Sequence, residues 1–146
     1  MIVVEFDAPV DPPAQVTGFE LGHVSLRGND GAYSSRQLGS RGLLMVYLAA
    51  ADMLDGVVTL LGHPDASWVF AGASSGWSFA VRRTRRHGLR LSTPAGRLLC
   101  QVSEADYAVA VWRGTQQLLA ARTPIDDGPL TDLRTAIAAF PGVYQR

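Results

Sequence analysis

Apolar side chains crowd residues 42–61, GLLMVYLAAADMLDGVVTLL, more densely than any other stretch of the chain. Leu44, Tyr47, Leu48, Ala51, Leu54, Val58 and Leu61 recur at three- and four-residue intervals, the repeat of an α-helix. Leu43, Val46, Ala50, Met53, Val57 and Leu60 fill most of the opposite side. Polarity enters only at Asp52, Asp55 and Thr59. The spacing predicts a helix over about 41–61 that the rest of the fold surrounds, with Ser40 as its N-cap and Gly62 followed by Pro64 as its stop. A membrane span is the rival reading. It requires ~20 apolar residues, and two central carboxylates cost roughly 2.5 to 3.5 kcal/mol each, so a buried helix of a folded domain is the stronger one.

Elsewhere the period shortens to two. IVVEFD reads as a strand, and Pro9, Pro12 and Pro13 impose an extended connection after it. A second strand is expected over Phe19 to Arg27. Residues 28–42, rich in Gly, Ser, Asn and Asp, make a turn and an irregular approach to the long helix. Beyond the helix, short runs alternate with turn signals: WVFAGA, WSFAVRR, LRLST, RLLCQV, YAVAVW and QQLLAAR. Trp77, Phe79 and Val81 share one strand face, and Tyr107, Val109 and Val111 another, both expected to face the helix. A helix over 104–121, capped by Ser103, competes with the last two strands, but Gly114 and the Val-Ala-Val-Trp run favour strands. A second helix follows, with Thr131 or Asp132 near its start, an apolar stripe of Leu133, Ile137 and Phe140, and Pro141-Gly142 as its stop.

The expected fold is therefore α+β, a single domain over residues 1–146. A curved, mostly antiparallel sheet, made by a meander over 68–122 plus the N-terminal strands, packs on one long buried helix (about 41–61), and a short C-terminal helix (about 130–140) closes it. A chain of 146 residues buries about 68 to 70% of its unfolded surface, so the core needs no metal or disulfide. Cys100 has no partner for a bridge, and no signal-like segment opens the chain, which predicts a cytoplasmic setting.

Charge narrows the partners. The formal net charge is zero, the pI is about 6.8 and 18% of residues are charged, which argues against a general electrostatic hold on nucleic acid or membrane. All 13 basic residues are arginines, as expected of a GC-rich, bacterial-type genome, so arginine by itself is weak evidence of function. The densest basic run is nevertheless informative: Arg82, Arg83, Arg85, Arg86, His87 and Arg90 gather at a predicted hairpin tip. Guanidinium forks there suit carboxylates or phosphates, although a solvated hairpin end that protects an edge is the simpler reading. Tyr33 and Arg36 in the long irregular segment, and Trp112 beside Arg113, are the other candidate contacts.

Catalytic signals are sparse. His23, His63 and His87 lack local metal-ligand spacing, so neither a metal nor a cofactor is expected. Cys100 sits in an apolar strand and reads as inert packing. The best catalytic pair is Asp52 and Asp55, three residues apart on the long helix, where an apolar setting raises carboxyl pKa values toward acid/base work. Such an enzyme would hold an acyl or polycyclic ligand between helix and sheet, lined by Tyr47, Trp68, Trp77 and Trp112, an expectation resting on fold analogy. The bland reading makes both aspartates the solvated stripe of an otherwise buried helix. The sequence thus points first to a protein-interaction module, without catalysis, that binds an acidic protein partner so as to neutralise or chaperone it. Small size without catalytic motifs is also what an immunity protein that blocks a toxin would have, and homodimerisation is compatible with either reading.

Overall fold

The computed structural model describes residues 1–7, 16–65, 67–72, 75–85, 88–122 and 124–146. Two four-stranded antiparallel sheets, both curved and unclosed, enclose the long helix together with two further helices. The first sheet contains β1 (Ile2–Asp7), β2 (Leu21–Gly28), β3 (Ala32–Ser34) and β4 (Leu44–Met45). β2 is its spine, paired with β1 on one side and with β3 and β4 on the other. The second sheet is a meander of β5 (Ser67–Ala71), β6 (Ser78–Arg83), β7 (Gly88–Ser92) and β8 (Leu98–Ser103). The helices are α1 (Val46–Gly62), α2 (Glu104–Ala121) and α3 (Gly128–Ala139).

The long apolar helix and the α+β architecture match the expectation, but its start does not. Residues 35–42 form 3-10 turns and Leu44–Met45 a short strand, so α1 begins at Val46. Ser40 is not its cap: Met45 occupies that position, and Val46 N–H donates to Glu20 O at 3.2 Å. Pairing with β2 claims Leu44 and Met45 for the sheet before the helix can begin. The excursion from β3 to β4 closes on itself where a Cβ on Gly42 would lie 1.8 Å from Ser35 O, a contact only glycine permits. In the gap it leaves along β2, the buried Ser35 hydroxyl accepts the Val24 N–H at 3.0 Å and shares a 2.8 Å hydrogen bond with His23 Nδ1. Burial first, and then Arg36, hold the His23 pKa below 6.5.

The meander ends at Ser103 rather than running to residue 122, and residues 104–121 are helix. Ser103 Oγ accepts the Asp106 N–H at 3.0 Å, and Glu104 and Asp106 in the first turn complement the helix dipole. Tyr107 and Val111, four apart, lie on the buried helical face with Gly114, Thr115 and Leu118, whereas Val109 is only half-buried on another face. Gly114 serves close packing, since a Cβ there would stand 2.6 Å from Val4 O. The last helix begins at Gly128, two residues before the expected start, because Asp127 is its cap and accepts the Leu130 N–H at 3.2 Å. The core runs continuously from Val4 and Leu26 through Tyr47, Met53 and Leu54 to Phe70, Trp77, Phe79, Leu91 and Val111. Among the described residues no helix is long and apolar enough to cross a membrane.

Candidate functional site: the arginine face of the second sheet

Hairpin register sorts the arginines. Strands β6 and β7 pair Arg82 with Arg90 and Arg83 with Leu89, and β8 places Gln101 opposite Arg90. Because side chains alternate across a strand, Arg82, Arg90 and Gln101 project together from the outer face and are exposed, beside Ser67 of β5. Thr84 N–H donates to Gly88 O at 2.9 Å, which makes Arg82 and Arg90 a hydrogen-bonded pair with Cα atoms about 5.5 Å apart. Neither guanidinium meets a carboxylate among the described residues. Like charges directly opposite in a ladder are unfavourable. Arg85 is exposed at the tip of the same hairpin. Arg86 and His87 lie outside the described residues. The next row of the face is small or apolar: Val69, Ala80, Ser92 and Leu98.

Arg83 points the other way. Its guanidinium donates to Leu60 O and, at 3.3 Å, to His63 O, and pairs with Glu104. It thereby places a cation on the carbonyl end of α1, which the helix dipole favours, and neutralises it with the Glu104 carboxylate in the first turn of α2. The residue expected to grip a partner ties the fold together instead.

The remaining candidates scatter. Tyr33 is half-buried and stacks on Trp77 with ring centroids 5.0 Å apart, and Arg36 pairs with Asp7 at 2.9 Å. Trp112 stacks on Phe140 at 5.4 Å and 10°. Arg113 is exposed on a surface groove of about 670 Å³ between β1 and α2, whose floor includes Ile2, Val4, Val109 and Ala110. Cys100 is buried, and burial pushes its thiol up to about 11, which suppresses thiolate chemistry.

Asp52 and Asp55 are exposed, with Thr59, on the solvated stripe of α1. Burial of their surroundings raises both pKa values first, followed for Asp52 by Asp55 and Asp132 and for Asp55 by Asp132. The space they border is an open surface groove of about 280 Å³ beside β5. Between α1 and the second sheet, Trp68 lies on Gly56 so closely that a Cβ there would stand 2.4 Å from the ring, while Tyr47 and Trp77 are wholly buried. Sequence reasoning passed over the pairing of Arg82 with Arg90, although counting outward from the TRRHG turn yields it. Ser35 falls in the irregular segment that the sequence singles out, but no local signal reveals its bond to the Val24 N–H. No protein-family model, curated protein or solved structure matches the chain.

Proposed function

We propose that this protein is an interaction module that binds an acidic segment of a partner protein on the outer face of the second sheet, without catalysis. The observation that supports this reading is the exposed cross-strand pair Arg82 and Arg90, two guanidinium groups in register that meet no carboxylate among the described residues. Each presents a planar fork suited to two carboxylate oxygens, and a partner carboxylate between them relieves their mutual repulsion. The adjoining row of Val69, Ala80, Ser92 and Leu98 offers a weakly polar surface against which the same segment loses little hydration. A partner held in this way is blocked or chaperoned at its own acidic surface.

Affinity capture from native extract, comparing the natural chain with the Arg82→Ala/Arg85→Ala/Arg90→Ala variant, tests the proposal. Arg83 is left intact because its contacts are internal. The expected outcome is an acidic chain retained by the natural protein at low salt, released as salt rises and lost in the variant, with the melting temperature unchanged. Equal capture by both proteins overturns the assignment.

A further inference from the structure

Three sheet edges in this molecule are partly covered or short. Pairing of Val24 N–H with Ser35 and of Gly28 N–H with Gly31 O turns the alternate backbone groups of β1, at Ile2, Val4 and Phe6, away from β2. Helix α2 packs against that edge at Val4 through Gly114, leaving the groove at Ile2 beside it. At β8, Leu99 O accepts the Asp30 N–H at 3.0 Å. Strand β3 is three residues long, and its Ala32 O accepts the Arg97 guanidinium at 3.2 Å.

The edge of β5 is different. Gly72 N–H donates to Trp77 O at 3.2 Å, and the same register makes Phe70 with Phe79, and Trp68 with Val81, the hydrogen-bonded pairs of β5 and β6. The N–H and C=O groups of Ser67, Val69 and Ala71 therefore point outward, and none has a hydrogen-bond partner among the described residues. All three side chains are exposed, Val69 at 63%. The strand, SWVFA, has none of the charges, prolines or bulges by which exposed edges usually repel other strands. On its inner side a groove separates the edge from α1, and Asp52, Asp55 and Thr59 form the far wall. We propose that this edge accepts an extended segment as a fifth strand, with alternate arginine or lysine side chains of that segment entering the groove onto Asp52 and Asp55.

The two halves of the site specify complementary things. Main-chain bonds to Ser67, Val69 and Ala71 supply strand addition to any extended chain, and the carboxylates select which chain, because inward-facing side chains of an added strand lie over the groove. An acidic segment is repelled there, and an uncharged one leaves both carboxylates without a counter-ion. The proposal stands independently of the arginine face, since Arg82 and Arg90 project from the outer side of the sheet.

Binding of a seven-residue peptide of alternating arginine and threonine, capped at both ends, to the full chain provides the test. Its readouts are calorimetry and amide hydrogen exchange. Binding should slow exchange at Ser67, Val69 and Ala71, and the matching glutamate–threonine peptide should not bind. Val69→Pro removes an outward donor that β6 does not use, so it should weaken binding at least tenfold with the circular dichroism unchanged. The Asp52→Asn/Asp55→Asn variant should weaken it comparably and abolish its salt dependence. A peptide N-methylated on the edge-facing amides tests the same bonds with the natural protein, should the proline variant misfold. Binding that survives both the proline variant and N-methylation overturns the proposal, as does equal binding of the acidic peptide. A concentration-dependent dimer, abolished by Val69→Pro and undisturbed by the basic peptide, also overturns it and assigns the edge to a second copy.

Discussion

The two sheets have the same number of strands and the same antiparallel pairing, yet they treat their margins in opposite ways. In the first, helix α2 lies along β1, and the Ser35 hydroxyl fills the break between β3 and β4. In the second, among the described residues, nothing bonds to the outward ladder groups of β5 and no carboxylate pairs with the two guanidinium groups of the neighbouring face. The contrast teaches that strand number and pairing do not distinguish a sheet closed at its margins from one that leaves them open. Coverage of backbone and charge does, because an unmet hydrogen-bonding group or an unmet charge is free energy available to a partner.

The sharpest way to break the contrast is Gly114→Val. Its Cβ would collide with the Val4 carbonyl, and backbone on both sides leaves no flexible side chain to yield. We expect a loss of about 3 kcal/mol in urea unfolding, with self-association as the β1 edge comes into the open. Within the second sheet, Arg83→Ala should cost about 2 kcal/mol, the value of a charge-assisted hydrogen bond with its partners left behind. The neighbouring Arg82→Ala should stay within about 0.5 kcal/mol. Similar losses for the two would refute the division between an inward clamp and an outward surface. Ser35→Ala strips the partner from the buried Val24 N–H and should lower stability by about 1.5 kcal/mol.

The smallest effect concerns Asp52. Its raised pKa means that the folded protein binds a proton more readily than the unfolded chain, so stability falls as pH rises from the ordinary value of 3.8 through the raised one. Asp52→Asn should therefore raise the melting temperature at neutral pH, on the order of one degree after solvent screening. The gain should vanish below pH 3.8. A constant difference at all pH values would mean that the carboxylate acts through something other than its charge.

Sequence legibility followed the range of the interactions concerned. The apolar density of α1 reports its burial directly, and Asp52, Asp55 and Thr59 mark its solvated stripe as expected. Tyr107, Val109 and Val111 misled because Ala108 and Ala110 between them are buried too, so the run has no true period of two, while Tyr107 and Val111, four apart, share one helical face. Gly114 looked like a turn signal and is instead a place where helix and strand touch. Arg82 and Arg83 are adjacent in the chain and opposite in role, a difference that residue type does not carry.

What the chain determined alone is the local and the collective: which segment must be hidden, where turns interrupt the strands before residue 104, and that charge is too balanced for a broad electrostatic field. Tertiary structure decided which edge stays open, which arginine turns inward and how the β3 to β4 gap is filled. Those outcomes depend on contacts between residues far apart in sequence, such as Gly114 with Val4 and Arg83 with Leu60, whose geometry exists only once the layers have packed.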